Sequence, residues 1–179
     1  ATNQRPQPHA ITANGDAHME GGKQDSSYIT FDGGGDYLSI PDSSDWDLGT
    51  GDFTVECWAY WKATGNAGLI SKLNGTGGAK SWQLAHFSTN LYFYGDGDGG
   101  DSSSSIEFPW SPVAGQWYHL AAVREGNTTT LYSNGQSIGS GSTDWNNTGG
   151  TSDLLIGRED NVGSTNDLNG FMDGIRVSN

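Results

Sequence analysis

Apolar residues occur along the chain in short runs, and polar residues alternate with them or separate them. The separators are clusters of Gly, Asp, Ser and Asn, which recur at intervals of about ten residues. No window keeps apolar residues at positions i, i+3, i+4 and i+7 over three turns, so no substantial helix is expected. The pattern therefore predicts an all-β chain of about a dozen short strands.

Two features of the pattern predict how the strands are arranged. Residues 53–61, FTVECWAYW, are almost wholly apolar, and only a strand that is covered on both faces tolerates such a run. Cys57 lies within this run and is expected to be a buried, unreactive thiol. Asn134-Gly135 separates two strand-like runs and is a strong hairpin signal. Many short strands with Gly-rich turns indicate an antiparallel two-sheet sandwich or jelly roll.

The length and the aromatic content fit one β-sandwich domain. The chain has 179 residues, including seven Trp, seven Tyr and six Phe, and aromatic side chains bury large areas in a core. Residues 1–8, ATNQRPQP, are polar and contain two prolines, which predicts an N-terminal arm ahead of a domain at 9–179. A polar arm gains order by docking on its own domain or on a neighbouring subunit, so assembly with other subunits is one expectation.

The charge of the chain limits the classes of partner. The formal net charge is −13, and only five of the 21 acidic residues are Glu. Nucleic acid is not an expected partner, because phosphate binding requires Lys and Arg and the chain has only eight of them. Asp-rich turns suit divalent cations. No apolar stretch approaches about 18 residues, so no membrane span is expected.

Four stretches of the sequence carry a family resemblance. They are FDGGGDYLSIPDSSDWDLGTGDFTVECWAYW (31–61), GQWYHLAAVREGNTTTLYSNGQSIG (115–139), LLIGRED (154–160) and LNGFMDGIRVSN (168–179). With this order and spacing, the chain resembles the laminin-G-like, concanavalin-A-like lectin jelly-roll superfamily from about residue 9 to its end. The ITANGDAH lead-in looks most like domains of phage virions and of marine microbial extracellular proteins.

The resemblance implies a setting and a function. Similar domains are secreted by bacteria or decorate tailed-phage virions, and they commonly bind carbohydrate or protein, often with a calcium ion. The first expectation is therefore a non-catalytic structural or binding module, extracellular or on a virion surface, that contacts surface glycans. The second is a free-standing, calcium-supported carbohydrate-binding domain of a secreted bacterial protein. A polysaccharide-active enzyme fragment is the third, because fold alone does not fix function.

The predicted metal site joins the two ends of the chain. The resemblance implies that an early strand lies near the last one, which would bring Asp32 and Asp36 of FDGGGD towards Asp173 of FMDG. Calcium takes six to eight oxygen ligands, and a Gly-rich turn can aim carbonyls at it. The alternative is that these aspartates cap turns. A second acidic loop, Asp96-Gly-Asp98-Gly-Gly-Asp101, begins like an EF-hand but has no Glu at position twelve, which favours ordinary turn chemistry.

The predicted ligand site requires an exposed aromatic ring flanked by polar groups that can bond sugar hydroxyls. Trp110 and Trp145 lie in loops or at strand ends, and Trp145 has Asp144 and Asn146 beside it. Packing beneath a loop is the alternative for either ring. The tryptophans within strand runs are expected in the core: Trp58, Trp61, Trp82 and Trp117.

The sequence does not favour catalysis. Glycoside hydrolysis uses two carboxylates across a cleft, and related glucanases carry an E-x-D-x-x-E pattern on one strand, which is absent here. Glu56 and Glu107 are the strand-borne glutamates of interest, and neither has an acidic partner at i+2 or i+4. No closely spaced His pair occurs. The chain is therefore not expected to be an enzyme.

Overall fold

The computed structural model describes residues 8–21, 27–73, 81–96, 103–146, 151–161 and 164–179. These ranges contain sixteen strands and one short 3₁₀ turn, Ser44–Trp46. The strands are β1 (Thr12–Asn14), β2 (His18–Gly21), β3 (Ser27–Asp32), β4 (Tyr37–Ile40), β5 (Phe53–Trp61), β6 (Ala67–Lys72), β7 (Trp82–Phe87), β8 (Asn90–Asp96), β9 (Ser103–Pro109), β10 (Trp117–Glu125), β11 (Thr128–Ser133), β12 (Gln136–Ser142), β13 (Leu154–Ile156), β14 (Arg158–Asn161), β15 (Ser164–Asp167) and β16 (Asn169–Ser178). No helix in this part of the chain is long and apolar enough to cross a membrane.

The strands form two seven-stranded sheets and a small hairpin. The first sheet has the order β1-β4-β13-β6-β7-β8-β9, and the second has the order β12-β11-β10-β5-β16-β3-β2. The hairpin pairs β14 with β15. Neighbouring strands run antiparallel throughout. The predicted all-β, antiparallel two-sheet sandwich is confirmed.

Strand β5 shows why the sheets pack as they do. Its side chains alternate between two faces, because successive residues of a strand point to opposite sides of a sheet. Phe53, Val55, Cys57, Ala59 and Trp61 are all buried and face the core. The intervening residues are half-buried or exposed, so the prediction that this strand is covered on both faces is wrong. Its apolar outer positions instead give the second sheet an aromatic outer face.

The core between the sheets is rich in interlocking aromatic rings. Trp82 stacks on Phe93 with ring centroids 6.1 Å apart, and Phe93 also contacts Phe53 at 5.2 Å. Trp61 and Trp82 are both buried, as predicted. Cys57 is buried, as predicted, and burial raises the pKa of its thiol to about 12, which favours the protonated form that is a poor nucleophile.

The described chain begins by docking on the sandwich. His9 Nε2 lies 2.8 Å from Asp45 Oδ2, and the His9 ring packs 4.6 Å from the Trp46 ring. These contacts fix the start of the domain against the 3₁₀ turn. Residues 1–7 of the predicted arm lie outside the described residues, so the arm and its docking on a neighbouring subunit stay predictions.

Candidate functional site

Five aromatic residues line the outer face of the second sheet. They come from four strands: Tyr28 on β3, Trp58 and Tyr60 on β5, Trp117 on β10 and Phe171 on β16. The register pairs Trp117 with Tyr60 and Tyr60 with Phe171, so these side chains share one face. The centroid of the Tyr60 ring lies 5.5 Å from that of Trp117 and 5.0 Å from that of Phe171. We call this surface the aromatic face.

A cleft opens in the aromatic face. It has a volume of about 410 Å³ and is lined by Tyr28, Trp58, Trp117 and Asp173. Trp58 is 44% exposed and Trp117 is 36% exposed, which is unusual for side chains of this size. The Tyr28 ring stands edge-on to Trp117 at 6.1 Å. The aromatic cleft therefore offers open indole surface beside one carboxylate.

A bulge in β16 places that carboxylate. Asp173 lies opposite Trp58 in the ladder, and the register then shifts before Arg176 pairs with Glu56. Gly174 has a φ of +56°, and its N–H donates to Asp173 Oδ1 at 2.7 Å. A Cβ on Gly174 would lie 3.2 Å from Cδ1 of Trp58. Glycine at this position thus allows the bulge and the close approach of the indole.

The basic side chains around the cleft already have partners. Glu56 lies 3.2 Å from His119 Nε2 and 2.6 Å from an Arg176 Nη. The His119 ring packs 5.3 Å from Trp58. Lys62 Nζ sits 4.5 Å from the centroid of Phe171, on the same face. The ion pairs of the described residues do not include Asp173.

An acidic cluster lies at a second place, where the chain passes between the sheets. The nearest carboxylate oxygens of Asp16, Asp32 and Asp36 all lie within 4.8 Å of one another. Asp36 is only 2% exposed, and its two oxygens accept the N–H groups of Asp16 at 2.8 Å and Asp32 at 2.9 Å. Gly15 has a φ of +69°, and a Cβ there would lie 2.2 Å from Asp36 Oδ1. The β1–β2 turn therefore needs glycine to reach Asp36.

The acidic cluster corrects one predicted ligand. The structure brings Asp32 and Asp36 together, but their third partner is Asp16, not Asp173. Strand β16 does pair with β3, as expected, with Asn169 opposite Asp32. Asp173 lies four residues farther along β16, about 13 Å at the usual rise of a strand. The Asn-Gly-Asp turn that contains Asp16 was the sequence signal for the third carboxylate.

Carboxylate oxygens are the ligands that calcium prefers, and a carboxylate that accepts a hydrogen bond keeps further lone pairs. The exposed Asp16 and Asp32 could therefore contribute oxygens beside the buried Asp36. The donor chemistry of the cluster fits a hard divalent cation. In the second acidic loop, which begins at Asp96, Asp98 and Asp101 lie outside the described residues.

The rings predicted for the ligand site are not the exposed ones. Trp145 is 0% exposed: it packs 5.6 Å from Phe93, and Gly95 lies directly against its ring. Burial of its ring contradicts the prediction that Trp145 offers a surface for sugar stacking. Its neighbours Asp144 and Asn146 are exposed.

Trp110 is also partly buried, and its ring stands edge-on to three others. The centroids lie 5.2 Å from Tyr118, 5.9 Å from His86 and 6.0 Å from Trp61. The interpretation of Trp110 as an open ligand-stacking ring is therefore not favoured. Conversely, Trp58 and Trp117 were expected in the core and are exposed.

The two glutamates that were considered as catalytic candidates, Glu56 and Glu107, lie on different sheets. Glu56 is on β5 of the second sheet, where it is engaged by His119 and Arg176. Glu107 is on β9 of the first sheet, exposed, and accepts a hydrogen bond from Asn90 at 3.4 Å. These two carboxylates therefore do not face each other across one groove, which hydrolysis by a carboxylate pair would require.

Comparison with known proteins assigns the sequence to a family. A sequence profile described as the concanavalin A-like lectin/glucanases superfamily matches residues 32–179. This match covers most of the chain. No curated protein matches the chain by sequence.

Solved structures share the fold at low sequence identity. Domain 4 of AbnA, a GH43 extracellular arabinanase from Geobacillus stearothermophilus solved in complex with arabinotriose, is 19% identical, with a TM-score of 0.65, 95% of this chain covered and 81% of that one. The receptor binding domain of botulinum neurotoxin C/D mosaic serotype is 12% identical, with a TM-score of 0.69 and 94% of this chain covered. The binding domain of Paraclostridial Mosquitocidal Protein 1 is 15% identical, with a TM-score of 0.65 and 92% covered. The chain spans only 42% of each of these two toxin domains.

Proposed function

Because the chain belongs to the concanavalin A-like lectin/glucanases superfamily, we propose that it is a non-catalytic carbohydrate-binding module whose aromatic cleft binds the glycan. The observation that supports this proposal most directly is the exposure of Trp58 and Trp117 beside Asp173. Large aromatic side chains left open on a sheet face are costly unless they serve contact with a partner.

The cleft has the chemistry of a sugar site. The C–H-rich face of a sugar ring packs on an indole, while its hydroxyl groups donate to a carboxylate. Trp58 and Trp117 supply the rings, and Asp173 supplies an acceptor whose other contact is the backbone N–H of Gly174. The volume of about 410 Å³ is in the range of small-molecule sites. Neither the stacking of the sugar ring nor the hydrogen bond to Asp173 needs a general acid or a nucleophile.

The setting that we propose is extracellular or on a virion surface. The arabinanase domain that shares the fold belongs to an extracellular enzyme and was solved with arabinotriose, and two toxin relatives are binding domains. A structural module would present the aromatic cleft from a larger assembly of subunits, whereas a free-standing lectin would act as a monomer. Measuring the mass of the protein in solution, with and without residues 1–8, distinguishes these two settings. A structural module should form multimers that depend on residues 1–8, whereas a free-standing lectin should be a monomer in both measurements.

A retention experiment tests the proposed function. We expect the protein to be retained by a subset of an array of neutral, amino and acidic polysaccharides. The variant Phe87→Ala is the matched control, because Phe87 is an exposed ring on the first sheet, away from the cleft. It should be retained on the same glycans as the unmodified protein. Absence of retention on every saccharide class would refute the proposal.

We also propose that the acidic cluster binds a structural calcium ion. Three carboxylates within 4.8 Å repel one another, and a divalent cation would relieve that repulsion. The ion would connect the β1–β2 turn to the β3–β4 turn, close to where the chain crosses between sheets. Its function would be to stabilise the fold rather than to contact the glycan.

Removal of calcium should lower the melting temperature. A ligand present at about a hundred times its Kd stabilises the folded state by about 2.7 kcal/mol, which corresponds to about 5–10 °C for a domain of this size. The measurement is a thermal melt with chelator, followed by calcium add-back. Asp32→Asn should abolish the calcium response, and Asp144→Asn, at an exposed site outside the cluster, should retain it. An unchanged melt in chelator would leave these aspartates as turn residues.

A further inference from the structure

We infer that the aromatic cleft selects sugars that carry a free, protonated amino group, a specificity that rests on the proposed glycan-binding function. The relevant feature is the combination of aromatic walls with a single carboxylate. Tyr28, Trp58 and Trp117 form the walls, and Asp173 lies among them. Neutral sugars would use only part of this chemistry.

The electrostatics of the cleft favour a cation. Asp173 carries a negative charge with no ion-pair partner among the described side chains, and its Oδ1 accepts only the N–H of Gly174 in the contacts on this face. The cations nearby are engaged elsewhere: Arg176 with Glu56, and Lys62 over Phe171. The chain as a whole carries −13. An incoming ammonium group therefore meets an uncompensated negative site.

The aromatic walls add a second attraction for the same group. The face of an aromatic ring is the negative end of its quadrupole, and a cation within about 6 Å of the ring centroid is attracted to it, most strongly by Trp. Lys62 already uses this interaction on the neighbouring Phe171, at 4.5 Å. An amino sugar can stack its ring on one indole while its ammonium group donates to Asp173 and lies near a second ring.

The same features disfavour acidic glycans. A uronic acid or another carboxylated sugar would place a negative charge beside Asp173, with no free cation in the described part of the cleft to pair with it. Like charges in one site repel, and the net charge of the chain opposes the approach of the ligand. The order of affinity expected is amino sugars first, neutral sugars second and acidic sugars last.

The test compares two ligands with the same β-1,4-linked backbone, one with free amino groups and one in which each amino group is acetylated and uncharged. The probes are the β-1,4-linked hexamers of glucosamine and of N-acetylglucosamine, titrated calorimetrically at one pH at which the free amine is protonated. The free-amine hexamer should bind about tenfold more tightly. This preference should shrink as the salt concentration rises, because salt screens exposed charges.

The variant Asp173→Asn isolates the charge. Asparagine retains an oxygen that can accept the Gly174 N–H, so the bulge should persist and the preference should fall to about twofold. Glu125→Gln is the matched control: it removes one charge at an exposed position at the opposite end of β10 from Trp117 and should leave the preference unchanged.

Three outcomes would overturn the selectivity: equal affinity for both hexamers, an unchanged preference in Asp173→Asn, or no binding of either hexamer. If other saccharides are then retained on the array through the aromatic cleft, the proposed function stands and only the selectivity is refuted. If no saccharide is retained, both fail together.

Discussion

Replacing Trp58 and Trp117 together with alanine should lower the affinity for any glycan that the protein retains by about a hundredfold or more. Truncating a central aromatic residue of a binding site costs about 2 kcal/mol or more, and a loss of about 2.7 kcal/mol is a hundredfold in Kd. Both rings line the same cleft and are the exposed part of its wall. Binding should be measured by calorimetry on the best array ligand.

The stability of the same variant shows whether the loss is local. Trp58 and Trp117 point away from the core, so the variant should keep its fold and melt within a few degrees of the unmodified protein. In contrast, Trp61→Ala should unfold the domain or lower its melting temperature strongly, because that ring is buried on the inner face of the same strand. If the double variant retained the glycan fully, the binding site would lie outside the aromatic cleft.

Much of the fold was predictable because it depends on local patterns. The Asn134-Gly135 hairpin is an example: both residues have positive φ, +51° and +76°, as a two-residue turn between right-twisted strands requires. The long run at 53–61 was correctly identified as a strand. Turn chemistry and strand period are written into neighbouring residues, so a single sequence reveals them.

The exposed face of that strand was not predictable in the same way. The alternation of side chains along a strand places Trp58 and Trp61 on opposite faces. When both faces carry apolar residues, however, the alternation does not show which of the two faces water. The answer depends on the partner strands, whose register places Tyr60, Trp117 and Phe171 side by side outside the core. The aromatic face is thus a product of strand order, which distant parts of the sequence determine.

The prediction that Trp145 is exposed was wrong for a related reason. Its polar neighbours suggested a loop at the surface, but the ring fills space left by Gly95 on the edge of the core. The buried Arg124 then fixes the backbone of this segment, with Nη1 donating to the carbonyl of Trp145 at 2.8 Å. Neither contact is visible from the residues that surround Trp145 in the sequence.

The acidic cluster was half predictable. Asp32 and Asp36 belong to one Gly-rich turn, and their proximity follows from local sequence. Their third member, Asp16, comes from another turn, whereas Asp173 lies four residues along β16 from Asn169, which pairs with Asp32. This arrangement depends on a strand register that local sequence does not reveal. The buried position of Asp36 raises a separate question: whether its carboxylate matters as a metal ligand or as a hydrogen-bond acceptor.

Substituting Asp36 with alanine should destabilise the domain by about 3 kcal/mol or more even without calcium. Hydrogen bonds to a charged group contribute about 1.5–3 kcal/mol each, and Asp36 accepts two, from the backbone N–H groups of Asp16 and Asp32. The substitution leaves these donors without an acceptor at a nearly closed site. For a domain of this size the melting temperature should fall by about 6–12 °C.

Melts of three variants in chelator separate the two functions of the carboxylate. In chelator, Asp36→Ala should melt well below the unmodified protein, and Asp36→Asn should melt less far below it because one oxygen remains. Asp32→Asn should melt close to the unmodified protein, because the exposed Asp32 carboxylate bonds only the N–H of Gly34 among the described contacts. If Asp36→Ala matches the unmodified protein in chelator, the carboxylate acts only through a bound ion. If its deficit persists there, Asp36 connects the two turns directly, and calcium adds to a junction that already exists.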